Sequence, residues 1–223
     1  MHQWLVSHFS AENISLIPLT GDAGFRRYFR IQYQGQHYIA VDAPVNLSNN
    51  LAFVNVQKAL RQVGIKVPEI IAVDLKQGFL CLSDFGDCLL AEKLCQENMH
   101  QYYRYAIAEL NKVLACKKTI VASLPLYDEG FIYTELAIFN DWLLEKHLGV
   151  YLTVDEKTRL NSCFELLVAA ITEQPKVFMH RDYHSRNIML LNDKTLGIID
   201  FQDAVQGPII YDLVSLLRDC YVR

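Results

Sequence analysis

The chain has 223 residues, room for one large domain or two small ones, and 52% hydrophobic against 21% charged content excludes a disordered protein. A net charge of −4 supplies no basic footprint for nucleic acid, and no apolar run approaches a membrane span, so neither is an expected partner. Six cysteines with no C-x-x-C pair, behind a start (Met1-His2-Gln3-Trp4) lacking the basic region of a signal peptide, read as reduced thiols of a cytoplasmic protein.

Residues 2–9 predict a short amphipathic helix. Ile14 to Leu19 predicts a strand, followed by Gly21-Asp22-Ala23-Gly24 and a second strand from Arg26 to Tyr33. Gly35 turns the chain into a third strand, His37 to Val41. A glycine-bearing hairpin lets backbone N–H groups approach an anion closely, although this one is not G-x-G-x-x-G. Phe53, Val56, Leu60 and Val63 fall on one face of a helix that starts near Ser48-Asn49-Asn50 and ends at Gly64. GIKVPEIIAVD and GFLCLSDFGD predict two further strands. Cys81, Cys88 and Cys95 fall seven apart, but on a strand, a loop and a helix, so no metal site is expected there.

Leu89 to Cys116 predicts helix broken near Asn98, and Ser123-Leu124-Pro125 ends that pattern. A long helix from Gly130 to Leu148 should bury Ile132, Leu136, Phe139 and Leu143, with Phe131, Ile138 and Trp142 widening the stripe. Its Glu135 and Asp141 read as solvated carboxylates, acceptor contact being the alternative. Thr153 and Glu156 form a capping box for the next helix, whose inner stripe is Leu160, Phe164, Leu167 and Ile171. Pro175 closes it.

The chemistry gathers in VFMHRDYHSRNIMLLNDKTLGIIDFQD. A strand over Val177-Phe178-Met179 delivers His180-Arg181-Asp182, and Asn187 follows five residues after Asp182. Two apolar runs around Asn192-Asp193-Lys194 predict a hairpin that ends on Asp200. H-R-D-x-x-x-x-N followed by a metal-competent Asp is the kinase arrangement for phosphoryl transfer. One carboxylate (Asp182) takes or orients the acceptor hydroxyl, while an amide oxygen (Asn187) and a second carboxylate (Asp200) hold Mg2+ on the phosphates of ATP. Mg2+ keeps several waters, so two protein oxygens suffice. Little sequence lies between Asp200 and Gly207-Pro208-Ile209-Ile210-Tyr211-Asp212, too little for a peptide-docking segment, which favours a small-molecule acceptor.

HRDYHSRNIM, GIIDFQDAVQGPIIYDLVSLLRD, GDAGFRRYFR and YIAVDAP together resemble the aminoglycoside-phosphotransferase-like kinases. Within them the chain is most similar to the bacterial anomeric kinases of N-acetylmuramate and N-acetylglucosamine used in cell-wall recycling. The resemblance implies an α+β, bilobal, protein-kinase-like fold. Residues 1–86 would form a small nucleotide-binding lobe with a hinge near 82–86, and 87–223 a large, mostly helical lobe carrying the catalytic loop and metal site. That family continues with helices that help build the acceptor pocket, so the resemblance also implies a large lobe cut short at its C-terminal end. It implies that Gly21, Asp22, Ala23 and Gly24 cover the phosphates, Gly24 standing where a serine is usual. It implies that adenine meets Leu82, Ser83, Asp84 and Phe85 at the hinge. The third strand carries Val41 and Asp42 in place of the phosphate-contacting lysine, which leaves Arg26 or Arg27, only one of which can point inward.

Asp84-Phe85-Gly86 spells the protein-kinase metal motif, but it precedes the H-R-D loop and is read as hinge. His180 and Asp212 are expected to brace the catalytic loop, and His184 and Asp203 to approach the acceptor. The expected activity is ATP- and Mg2+-dependent phosphorylation of a sugar hydroxyl. Two alternatives stay open: a kinase of an aminoglycoside or choline-like amine, and a nucleotide-binding pseudokinase without turnover.

Overall fold

Strand alternation builds the front of the molecule. The computed structural model describes residues 1–19, 25–116, 118–121, 123–192 and 194–222. α1 (His2–Phe9) precedes β1 (Ile17–Leu19), β2 (Arg27–Tyr33) and β3 (Gln36–Asp42); α2 (Asn50–Gln62), β4 (Ile70–Asp74) and β5 (Phe79–Ser83) follow. The strands form one antiparallel sheet in the order β1-β2-β3-β5-β4. The β2–β3 turn places Gln34 and Gly35 at φ 48 and 77, the left-handed pair of a two-residue hairpin, and glycine relieves the second position.

Successive strand residues point to opposite faces. Ile31, Ala40 and Cys81 face one side, where Leu5 of α1 and Ile14 close over them. Val41, Leu80 and Leu82 face the other, where α2 lays down Phe53, Val56 and Leu60. Each such side chain stabilises by roughly 1.5–3 kcal/mol when fully buried. Asn49 caps α2 by accepting from Ala52 N at 3.0 Å, and Gly64 ends it at φ 82.

Helices then take over: α3 (Leu90–Lys93), α4 (Met99–Val113), α5 (Lys118–Val121), α6 (Glu129–Ile138) with a π-helical continuation over Phe139–His147, and α7 (Val154–Thr172). The break before α4 has a cause. Asn98 accepts from Cys95 N at 2.9 Å and donates to Lys93 O at 2.8 Å, which closes a turn in place of a helical one. The Thr153–Glu156 capping box opens α7. Among the described residues no helix is long and apolar enough to cross a membrane.

The last part interleaves strands and loops: β6 (Lys176–Met179), a 3-10 turn at Ser185–Asn187, β7 (Ile188–Asn192), β8 (Thr195–Ile198), β9 (Val205–Pro208) and α8 (Tyr211–Leu217). β7 and β8 are the expected hairpin. Gly207-Pro208 ends β9, which pairs with β6. A Cβ at Gly207 would lie 2.4 Å from Met179 Sδ, so the glycine leaves room for that buried side chain. The β7–β8 hairpin is tied to the earlier chain by Leu190 N donating to Cys88 O and Ile198 N to Lys66 O, both at 2.8 Å.

The two long helical stripes need correction. Ile132 is buried and Phe131 and Leu136 pack beside it, but Ile138, Phe139, Leu143 and Trp142 are 54%, 43%, 41% and 65% exposed. From Phe139 the i→i+5 geometry turns the chain through a smaller angle per residue than an α-helix, so side chains spaced for 3.6 residues per turn fall out of line and the stripe leaves the core. On α7, Leu167 is 49% exposed and its neighbour Val168, at 4%, makes the buried contact.

Candidate active site

The site begins where β6 runs out. Arg181 follows at φ 77, a left-handed conformation that costs a non-glycine residue of order 1–3 kcal/mol unless its surroundings impose it. They do so from two sides. Asp212, in the first turn of α8, accepts from His180 N at 2.7 Å and Arg181 N at 3.0 Å. Arg181 Nη2 donates to Glu135 Oε1 at 3.0 Å, and the guanidinium lies 4.8 Å over the Phe131 ring. Tyr127 OH donates to the other Glu135 oxygen at 2.5 Å. Glu135 therefore lies beneath the catalytic loop, not on a solvated helix face. Burial pushes Asp212 up to about 7, opposed by the two backbone N–H groups that favour its charged form.

His180 is 2% exposed, and its Nε2–H donates to Ile199 O at 3.0 Å, which joins the H-R-D loop to the segment carrying Asp200. Burial keeps the imidazole neutral, with its pKa lowered to about 4. Asp200 itself has φ 61, so each of the two joined segments carries a left-handed non-glycine residue, Arg181 in one and Asp200 in the other, as working sites often do.

Asn187 closes the arrangement. Its Nδ2 donates to Asp182 O at 2.9 Å and lies 3.4 Å from both Asp200 Oδ2 and His184 Nε2. Gln202 Nε2 donates to Asp200 Oδ1 at 2.6 Å and to Asp203 Oδ2 at 3.3 Å. Asp182, Asn187, Asp200, His184 and Asp203 are thus brought to one place from separate stretches of loop. The Asp182 side chain reaches solvent. Its carboxyl is raised, first by the desolvating loop around it, with Asp200 and Asp203 adding to the effect and Arg181 and His184 opposing it. The donor set of an amide oxygen and a carboxylate side by side fits Mg2+, a hard ion that takes few protein ligands. Among the described residues there is no cluster of three His, Cys, Asp or Glu that fits a softer or fully protein-caged metal.

Gly21, Asp22, Ala23 and Gly24 lie outside the described residues. Arg26 and Arg27 separate as alternation requires. Arg27 pairs with Asp42 and its side chain is 70% exposed. Arg26 lies 5.9 Å from the Phe53 ring centroid and beside Tyr28, whose phenol is raised by burial, lowered by Arg26 and raised by Asp200 and Asp203. Arg26 is therefore the cation on the side of the metal-competent carboxylates. Val41 is buried in the core where kinases place a lysine.

Leu82 is buried at the end of β5. Ser83 N donates to Glu69 O at 2.9 Å, so that N–H is already engaged. Asp84 is engaged too. Arg30 Nε donates to it at 2.6 Å, Gly86 N donates to it at 2.7 Å, and Arg30 also reaches Asp87 at 2.7 Å. Phe85 presses on the hairpin, since a Cβ at Gly197 would lie 2.6 Å from its ring. Arg30, Tyr28 and Gln202 went unread because each works through a partner distant in sequence or through a bridging amide that no motif specifies.

The phosphotransferase enzyme family matches residues 15–223. The N-acetylmuramate/N-acetylglucosamine kinase of Pseudomonas aeruginosa is 42% identical over 208 residues, which cover 93% of this chain and 60% of that protein. The protein of the same name from Neisseria meningitidis serogroup B is 34% identical over 228 residues, 100% of this chain and 67% of its own. The chain thus spans 60% of the length of the Pseudomonas relative. Among solved structures, the GDP complex of aminoglycoside 2'-phosphotransferase-IIIa superposes with a TM-score of 0.70 at 18% identity, covering 98% of this chain and 77% of that one. ADP-bound aminoglycoside phosphotransferase APH(2'')-Ib gives 0.65 at 14%, covering 99% and 75%. At such identity these structures show the shared bilobal, kinase-like fold alone.

Proposed function

The chain belongs to the phosphotransferase enzyme family, and on that premise we propose that it transfers the γ-phosphoryl group of ATP to the anomeric hydroxyl of N-acetylmuramate or N-acetylglucosamine. The observation that carries the reaction is the convergence of Asp182, Asn187 and Asp200, with Asn187 Nδ2 2.9 Å from Asp182 O and 3.4 Å from Asp200 Oδ2. The choice of sugar is supported by the names of relatives 34–42% identical to this chain.

In this reading Asp182 accepts the hydroxyl proton as the sugar oxygen bonds to the γ-phosphorus, while the bond from that phosphorus to the bridging oxygen breaks and ADP departs. The raised Asp182 carboxyl is a stronger base than an ordinary aspartate. Asn187 and Asp200 would hold Mg2+, which when bound neutralises charge on the β- and γ-phosphate oxygens. His180, through Ile199 O, keeps those two loops in register, and Gln202 ties Asp200 to Asp203. Arg26 supplies the cation that β3 lacks, and the segment from Leu82 to Phe85 borders the adenine, with Gly21 to Gly24 over the phosphates. His184 and Asp203 face the acceptor, and Asp212 holds the loop. The small lobe spans residues 1–86 and the large lobe the rest.

The test is phosphoryl transfer from ATP with Mg2+, followed by phosphorus NMR, offering N-acetylmuramate, N-acetylglucosamine, an aminoglycoside and choline in parallel. A sugar 1-phosphate that vanishes in Asp182→Asn is the expected result. An aminoglycoside or choline phosphate overturns the acceptor, and Mg2+-dependent nucleotide binding without any product overturns turnover.

A further inference from the structure

The loop that carries Asp182 is fastened at three backbone N–H groups by two carboxylates, Asp212 and Asp219. Asp212 takes His180 N and Arg181 N, on the strand side of Asp182. On the far side, Ser185 N donates to Asp219 Oδ2 at 2.7 Å. The second oxygen of Asp219 accepts from Tyr221 N at 2.8 Å, which folds the turn after α8 against the loop. The Tyr221 ring then lies 5.3 Å from the His184 ring and 3.9 Å from the Arg186 guanidinium. Residues 184, 185 and 186 are all gripped from this one turn. Tyr183 OH, donating to Ala106 O at 2.8 Å, anchors the middle of the loop to α4.

Ser185 is the first residue of the 3-10 turn whose last residue is Asn187. A carboxylate on an N–H at the start of a helical turn satisfies an otherwise unpaired donor and favours that turn electrostatically. The tilt of the turn sets where the Asn187 carboxamide stands relative to Asp200, 3.4 Å away. Asp212 and Asp219 are seven residues apart, two helical turns, so one edge of α8 and its following turn presents both carboxylates to the loop.

We propose that Asp219 is a positioning residue that sets the metal-binding half of the catalytic loop, as Asp212 sets the half before Asp182. It acts through Ser185 N and the 3-10 turn on Asn187, and touches neither substrate nor metal. The proposal rests on reading Asn187 and Asp200 as the magnesium ligands.

The experiment compares the full chain with Asp219→Ala and Asp219→Asn in two measurements. Hydrogen exchange over residues 183–187 reads the loop directly and needs no activity. Calorimetric ADP affinity with Mg2+ and with a chelator reads the metal side. Asp219→Ala should lose protection at Ser185 and lower the Mg2+-dependent gain in ADP affinity about tenfold or more, leaving metal-free ADP affinity unchanged. Asp219→Asn, which keeps one oxygen to accept from Ser185 N, should fall between alanine and wild type, and it decides the question if the alanine variant does not fold. Wild-type protection at Ser185 in the variants overturns the proposal. So does an equal loss of ADP affinity with and without Mg2+, the signature of a merely structural role. If wild type binds ADP without any Mg2+ gain, the ligand reading fails, and exchange at Ser185 still decides whether Asp219 holds the turn.

Discussion

The catalytic loop and the α6–α7 helical pair are neighbours built on opposite terms. In the loop, polar groups meet polar groups: His180, Arg181, Ser185 and Asn187 each have a named partner within 3.0 Å, in places through strained backbone. In the helices, apolar periodicity is strong but largely unspent, with Trp142 at 65% and Leu166 at 74% exposure. A donor whose partner is removed costs its full desolvation, so each of these bonds ties the loop to the partner it has. An apolar side chain left in water only forgoes a gain, so a helix stripe can be regular in sequence and still be uncovered.

The largest effect should come from the loop's chemistry. Asp182→Asn should lower phosphoryl transfer by about 10²–10⁴-fold with folding and Mg2+-dependent ADP affinity retained, measured by steady-state kinetics beside calorimetry. Ile132→Ala comes next, because that side chain is the one buried member of the α6 stripe. Denaturant unfolding should show a loss of about 2–5 kcal/mol.

The pH dependence sharpens the contrast from the buried side. His180, neutral when folded with a pKa of about 4 against 6.5 ordinarily, makes stability fall as pH drops from 6.5 towards 4. Asp212, at about 7 against 3.8, retains a proton in the folded state over much of the same range, so its contribution falls as pH rises from 4 to 7. The slopes oppose each other, and wild type should be nearly level from pH 4 to 6.5 on account of these two groups. Asp212→Asn leaves the His180 slope alone, so that variant should gain about 3 kcal/mol of stability across that window, measured by urea unfolding at each pH.

Gly197→Ala tests the contact between Phe85 and the β7–β8 hairpin. A methyl 2.6 Å from that ring must displace it, and the expected cost is about 1–3 kcal/mol with a lowered Tm. The smallest effect belongs to the exposed helix face. Trp142→Ala should change stability by no more than about 0.5 kcal/mol in the same assay. A loss comparable to Ile132→Ala would mean that face is covered in solution, and the comparison would break.

The candidate site was largely legible because its members follow from short spacings. Asn187 is five residues from Asp182, in a loop bounded by strands that periodicity alone announces. The Arg26/Arg27 ambiguity had to wait for the register Arg27↔Asp42, which sends Arg27 to the face opposite Tyr28. Glu135 was misread because nothing local to α6 signals that Arg181, 46 residues on, needs a carboxylate. Asp219 left a faint trace, its seven-residue interval from Asp212, which has meaning only once Asp212 is known to hold the loop.

What the sequence determined by itself was most of the order and type of the elements and the spacing of the candidate reacting groups, since both are written in short intervals along the chain. What only the tertiary structure decided was which apolar stripe is covered, which of two arginines faces inward and which carboxylates hold the loop. Those outcomes depend on which distant segments pack together, and packing is settled by the sum of many weak contacts that no single stretch of chain contains.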